Sequence, residues 1–123
     1  MVDAALNGCR VLIVEDEYVL AFELHGKLTG MGATVLGPVG TLVDALDLIN
    51  SESRIDVAVL DVNLRGHSVF PAAELLISRG TPILFTTGYD TSQFPSRFQS
   101  MPRCEKPIDL AAVTHAICEL VGK

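Results

Sequence analysis

Asp56-Val57-Ala58-Val59-Leu60-Asp61-Val62-Asn63-Leu64 constrains this chain more than any other stretch. Four apolar residues between two aspartates are too few for a helix of ordinary length. An unbroken apolar run containing β-branched valines suits a strand covered on both faces, as in a parallel sheet. Such a strand leaves Asp61 at its carboxyl end, the edge of an open α/β sheet where ligands and chemistry collect. A carboxylate at that edge needs a chemical reason to be there.

The flanking chain supplies helices and strands in alternation. Val11-Leu12-Ile13-Val14 predicts a buried strand that delivers Glu15-Asp16-Glu17 to its end, and Leu20, Leu24, Leu28 and Met31 recur at helical spacing before Gly32. Residues 33–36 predict a weak strand closed by Gly37-Pro38, and Thr41-Leu42-Val43-Asp44 resembles a capping box opening a helix through Ile49. After the loop Arg65-Gly66-His67, Ser68 is placed to cap a helix with Pro71 in its first turn, running to Gly80. Pro82-Ile83-Leu84-Phe85-Thr86-Thr87 predicts a fourth strand ending in two hydroxyls. Pro95 interrupts 91–101, where the apolar pattern reduces to Phe94 and Phe98, so a short or irregular helix is expected. Arg103-Cys104-Glu105 predicts a brief last strand, Lys106-Pro107 a turn, and Asp109 the cap of a helix striped by Leu110, Val113, Ile117 and Leu120.

Strands alternating with helices imply a parallel sheet covered on both faces through right-handed crossovers. The expected fold is a flavodoxin-like, doubly wound α/β domain over 1–123: five parallel strands in the order 2-1-3-4-5 and five helices, the fourth short or irregular. With 123 residues, 49% of them hydrophobic and 20% charged, the chain is long enough for one core without disulfide or metal staples. The net charge of −6 argues against nucleic acid or an anionic membrane as the main partner. Cys9, Cys104 and Cys118 are an odd number without metal-type spacing, and no stretch reads as a leader or a membrane span. A soluble cytoplasmic protein is expected.

Strand ends gather polar groups at one edge: Glu15 and Asp16, Asp61, and Thr87, with Lys106 after the fifth strand. Clustered carboxylates repel unless a cation compensates, and a hard divalent ion, Mg²⁺ or alternatively Mn²⁺, would do so through oxygen ligands. A phosphoryl group on Asp61 would complete the site. The metal would neutralise two of its oxygens, Lys106 would pair with another, and the Thr87 hydroxyl would donate to a third. Asp61 would be the nucleophile and an acyl phosphate the product.

With these residues in place, the chain resembles, over essentially its full length, a CheY-like receiver domain of two-component response regulators. The matching motifs are Val14-Glu15-Asp16, Leu60-Asp61-Val62-Asn63-Leu64, Phe85-Thr86-Thr87-Gly88 and Lys106-Pro107. The resemblance implies phosphoryl transfer to Asp61 from a sensor histidine kinase or phosphotransfer protein. It assigns the metal to Asp16, Asp61 and the Asn63 backbone carbonyl, with Glu15 acting through water, and makes the Lys106-Pro107 bond cis. Asn63 and Tyr89, two positions beyond Asp61 and Thr87, would flank the attacking water's path and tune acyl-phosphate lifetime. With the chain ending after the last helix, the expected output is a changed surface for a downstream protein, or a phosphate sink.

Three departures stand out. Arg65 replaces a proline common after the acceptor loop, which predicts a less constrained loop. Arg103 stands where many receivers carry an aromatic switch residue. The short interval from Thr87 to Lys106, with Phe85, Thr87, Gly88 and Tyr89, resembles the subgroup named for its Phe-Ala-Thr-Gly motif, although Thr86 replaces the alanine. Of Thr86 and Thr87, strand alternation lets one face the site, and the family register favours Thr87.

Other polar residues have plainer readings. Glu17, Asp44 and Asp109 read as caps or solvated charges, and His25, His67 and His115 as surface histidines, His67 alone lying near the acceptor loop. Cys104 and Cys118 read as packing residues, and Phe94 and Phe98 as core contacts or, where their helix is loose, a partner-facing patch. Two rivals remain. A haloacid-dehalogenase-like phosphohydrolase also uses an aspartyl nucleophile, magnesium, a hydroxyl and a lysine, but needs a second aspartate where Asn63 stands. A receiver-fold binding module that has lost phosphorylation is the other.

Overall fold

Short apolar runs punctuated by glycine and proline become strands here, and the longer periodic segments become helices. In chain order the computed structural model, which describes residues 4–88 and 94–122, contains β1 (Arg10–Val14), α1 (Tyr18–Gly30), β2 (Thr34–Val39), α2 (Leu42–Ser51), β3 (Val57–Asp61), β4 (Asn63–Leu64), β5 (His67–Ser68), α3 (Phe70–Ser78), β6 (Ile83–Thr87), a 3₁₀ turn (Ser96–Phe98), β7 (Arg103–Glu105) and α4 (Leu110–Leu120). Five strands pair in parallel in the order β2-β1-β3-β6-β7, the expected flavodoxin-like, CheY-like arrangement with β3 at the centre. All five residues of β3 are buried, as a strand covered on both faces requires.

Strand alternation divides the core in two. Leu12, Ala58, Leu60, Ile83 and Phe85 pack under α2 and α3, while Val11, Ile13, Val57, Val59 and Leu84 pack under α1 and α4. The helix starts follow local chemistry: Thr41 Oγ1 accepts the Asp44 N–H at 3.1 Å and Asp109 Oδ1 accepts the Ala111 N–H at 3.0 Å. Lys106-Pro107 is cis, and so is Gly37-Pro38.

Several elements differ from their sequence reading. β2 does not close at Gly37-Pro38 but continues through it to Val39, with a register irregularity against β1. Gly37 has φ +90°, and a Cβ there would lie 2.9 Å from the Ile13 carbonyl oxygen, so only glycine lets the strand pass. Ser68 lies in β5, one residue ahead of the N-cap Val69, and its Oγ accepts the Phe70 N–H at 3.1 Å, so the expected serine serves the first turn of α3 from one position further out. Four α-helices are present among the described residues instead of five, and the expected fourth helix is represented there by the single 3₁₀ turn after Pro95.

That turn is anchored by aromatic packing. Phe94 and Phe98 are buried against Phe70 and Phe85, with ring centroids 5.0–5.8 Å apart. The Arg103 guanidinium lies 4.3 Å from the Phe94 ring centroid and donates to the carbonyls of Phe98, Gln99 and Met101. In place of an aromatic switch, the chain has a cation that closes the carboxyl end of the turn. Arg103→Ala is expected to destabilise the chain by about 1–2 kcal/mol and speed amide exchange across 96–101. Urea unfolding with hydrogen exchange checks this; unchanged exchange in that segment would contradict it.

The stretch after Asp61, predicted as a loosened loop, is instead a small antiparallel hairpin. Leu64 pairs with His67 across the two-residue turn Arg65-Gly66, whose φ values are +52° and +86°. Positive φ at both central positions matches the twist of a type I′ hairpin. Proline, fixed near φ −65°, cannot take the Arg65 position. Arg65→Pro is expected to break the hairpin and cost about 1–3 kcal/mol in urea unfolding. An unaltered midpoint would contradict the hairpin.

Candidate functional site

Each member of the site arrives by way of a strand end. β1 stops after Val14, so Glu15 and Asp16 emerge at the carboxyl edge; β3 ends on Asp61; β6 ends on Thr87; and Lys106 follows β7. The parallel register makes these ends adjacent, and a shallow cleft of about 380 Å³ opens there, lined by Asp16, Asp61, Asn63, Arg65, Gly88 and Lys106.

Lys106 Nζ lies 3.2 Å from Asp61 Oδ2, 3.3 Å from Glu15 Oε2 and 3.6 Å from Glu17 Oε2. Asn63 donates its backbone N–H to Asp61 Oδ1 at 3.3 Å, Glu17 donates its own to Glu15 Oε2 at 2.9 Å, and Arg65 donates its own to Asp16 Oδ2 at 2.9 Å. The last bond ties the hairpin turn to the β1 acidic pair. Asn63 Oδ1 accepts the Gly66 N–H at 2.8 Å, which fixes the Asn63 side chain within the turn. Thr87 is fully buried, and its carbonyl accepts the Lys106 N–H at 2.8 Å.

One carboxylate oxygen each from Glu15, Asp16 and Asp61 lie within 4.8 Å of one another, and Glu15 Oε1 is buried without a hydrogen-bond partner. An all-oxygen donor set with an orphaned carboxylate oxygen fits a hard divalent cation. Glu15 and Asp61 are each 4% exposed. Burial pushes the Glu15 carboxyl up to about 7; the Glu17 N–H opposes this, and neighbouring Asp61 adds to it. Burial also raises Asp61, although Lys106 and the Asn63 N–H oppose the rise. For Lys106 burial acts downward, but the Asp61 and Glu15 carboxylates outweigh it and the ammonium is held above its ordinary range.

No protein-family model matches the chain. It is 30% identical over 124 residues to the Phyllosphere-induced regulator PhyR of Methylorubrum extorquens, a match covering 94% of this chain and 45% of PhyR. This chain therefore spans about half the length of that curated relative. The response regulator PhyR of Brucella abortus superposes with a TM-score of 0.78 at 25% identity, over 94% of this chain and 48% of that one. The solution structure of SdrG from Sphingomonas melonis Fr1 superposes with a TM-score of 0.79 at 37% identity, over 93% of this chain and 97% of SdrG. SdrG in its BeF3-activated conformation gives 0.74 at 36% identity, over 98% of this chain and 99% of that one. The chain belongs to the response regulator receiver family.

Within this receiver, Glu15, Asp16, Asp61 and Lys106 lie together at the carboxyl edge of the sheet, and Asn63, Thr87 and Gly88 border them. Arg103 does not join them; its guanidinium is engaged with Phe94 and the carbonyls after it. Tyr89 lies outside the described residues. The sequence reading missed the hairpin's hold on Asp16, for which the Arg65-Gly66 pair was the available signal. It also missed an exposed apolar edge on α1, where Tyr18 is 86%, Val19 65% and Phe22 72% exposed. His67 is exposed in β5 and His115 pairs with Glu119 at 2.7 Å. No described helix is long and apolar enough to cross a membrane.

Proposed function

We propose that this receiver accepts a phosphoryl group on Asp61 from a histidine kinase or phosphotransfer protein, in a divalent-cation-dependent reaction within a reducing cytoplasm. The observation that carries this is one ammonium, Lys106, within 3.3 Å of two buried carboxylates, beside a third oxygen ligand from Asp16. Glu15, Asp16, Asp61 and the Asn63 carbonyl would hold the ion, most simply Mg²⁺. When bound, the ion supplies charge neutralisation at the phosphoryl oxygens. A magnesium-bound receiver domain of the Pseudomonas aeruginosa PAO1 sensor kinase PA1611, at 21% identity and a TM-score of 0.78 over 94% of this chain and 99% of that one, supports that choice by its shared fold.

An Asp61 carboxylate oxygen attacks phosphorus and forms the O–P bond. The P–N bond of a phosphohistidine breaks, and its electron pair returns to the imidazole nitrogen. Lys106 follows the charge from Asp61 onto the phosphoryl oxygens, and the Thr87 hydroxyl donates to one of them. The exposed Tyr18 and Phe22 line a groove that also includes Glu15, Asp16 and Arg65, which offers a phosphodonor apolar contact area beside the nucleophile. Phosphorylation then biases a two-state surface recognised by a downstream protein. The net charge of −6 keeps nucleic acid and anionic membrane out of this scheme.

The hydrolase reading is weaker, because Asn63 stands where the second acid belongs and its side-chain oxygen is already engaged by Gly66. Acetyl phosphate with Mg²⁺, followed by intact-mass measurement, tests the proposal. One added phosphoryl group that decays after donor removal is expected. No added mass would favour the phosphorylation-independent binding module, and sustained turnover of a generic aryl phosphate would favour the hydrolase.

A further inference from the structure

Among the described residues, two buried side-chain polar atoms lack a hydrogen-bond partner: Glu15 Oε1 and Thr86 Oγ1. A divalent cation held by the acidic cluster would account for the first. Nothing so far accounts for the second, although Thr86 is only 1% exposed and a buried hydroxyl without an acceptor is disfavoured.

Its place in the sheet points to a use. The β3–β6 ladder sets Thr86 directly opposite Asp61, and the β6–β7 ladder sets it opposite Cys104. Val57, Val59 and Leu84 all face the core under α1 and α4, so by alternation Asp61 and Thr86 share that face; the alternation expected to admit Thr87 alone does not exclude Thr86, and Thr87 meets the site from the end of β6, where its carbonyl accepts the Lys106 N–H at 2.8 Å. The Thr86 carbonyl accepts the Val62 N–H at 3.0 Å, which holds its backbone against the residue following Asp61. Paired strands lie about 4.7–4.9 Å apart, so a change of χ1 rotamer carries Oγ1 toward the Asp61 carboxyl. In the unmodified chain that carboxyl is already served: Lys106 occupies Oδ2 at 3.2 Å and the Asn63 N–H reaches Oδ1 at 3.3 Å.

We propose that Thr86 hydrogen-bonds the phosphorylated state: once a phosphoryl group draws Lys106 away, the Thr86 hydroxyl donates to the Asp61 acyl oxygen that Lys106 leaves. This rests on Asp61 being the phosphoryl acceptor. A bond made in one state and absent in the other shifts the balance between them by its full difference. Valine keeps the shape of threonine and deletes the hydroxyl, while serine keeps the hydroxyl.

The test is titration of the full chain with beryllium fluoride and Mg²⁺, followed by amide NMR, alongside melting of the unmodified proteins. Thr86→Val is expected to weaken beryllium fluoride binding about threefold to tenfold, the effect of one hydrogen bond. Thr86→Ser is expected to retain wild-type binding, and unmodified Thr86→Val to melt at or above wild type. Unchanged binding by Thr86→Val, or equal losses in both variants, would overturn the proposal while leaving Asp61 as acceptor. A lower melting temperature for Thr86→Val with unchanged binding would make the residue purely structural. Failure of the wild-type chain to bind beryllium fluoride would overturn the acceptor assignment itself, and this inference with it.

Discussion

Asp61→Asn is expected to melt higher than the wild-type chain in metal-free buffer near pH 8 and to accept no phosphoryl group. Burial raises the Asp61 pKa despite the ammonium 3.2 Å away, so the folded environment as a whole favours the uncharged carboxyl. Asparagine is close to that uncharged form in shape. It relieves repulsion from Glu15, while Lys106 keeps its contacts with Glu15 and Glu17. The gain should be on the order of 1 kcal/mol, a few degrees of melting temperature for a chain of this size. The amide lacks the anionic oxygen that attacks phosphorus, so the loss of phosphoryl uptake should be complete. A lower melting temperature for the variant would mean that the pairing with Lys106 outweighs the burial of the carboxylate. Stability given up for a reactive group is a common arrangement at functional sites.

Added Mg²⁺ should stabilise the protein far more at pH 8 than at pH 5.5. Glu15 has an ordinary pKa of 4.5 and a folded value of about 7, so between those values the folded chain binds more protons than the unfolded chain. Stability of the metal-free protein therefore falls as pH rises through that window, and the raised Asp61 acts in the same direction. A divalent ion reverses the trend because it binds the deprotonated carboxylates and competes with their protons. At a hundredfold excess over its dissociation constant the ion contributes about 2.7 kcal/mol. Near pH 5.5 most of that gain should vanish, and Glu15→Gln should flatten the metal-free profile. Thermal melts with Mg²⁺ and with a chelator check this; equal Mg²⁺ shifts at the two pH values would contradict the acidic cluster as the ion's site.

Much of the fold was legible because its signals are local. The apolar run Val57–Leu60 marks the central strand, and Thr41 and Asp109 cap the helices they precede. What was hidden depends on contacts distant in sequence. β2 runs past Pro38 because Gly37 passes close to the Ile13 carbonyl, and no propensity announces that approach. Arg65 holds a positive φ that its residue type disfavours, stabilised by a hairpin and by Asp16 from the segment after β1. Arg103 takes its role from carbonyls exposed at the end of a 3₁₀ turn and from the ring of Phe94.

The candidate site was more legible than its surroundings. Carboxylates and a lysine at successive strand ends of a parallel sheet converge by topology alone, which is why Glu15, Asp16, Asp61 and Lys106 could be placed from sequence. Thr86 could not be assigned a role, because only the strand register and the absence of a partner for Oγ1 single it out. The apolar edge of α1 escaped notice because buried Leu24 and Leu28, with half-buried Leu20, already supplied the core-facing stripe, and Tyr18 and Phe22 lie outside it.

The most direct measurement is borohydride reduction of the chain after treatment with acetyl phosphate and Mg²⁺, followed by peptide mapping. An acyl phosphate is reduced to an alcohol, so homoserine is expected in place of Asp61 and at no other carboxylate. Reduction at Glu15 or Asp16, or at no residue, would contradict Asp61 as the atom source of the new bond to phosphorus.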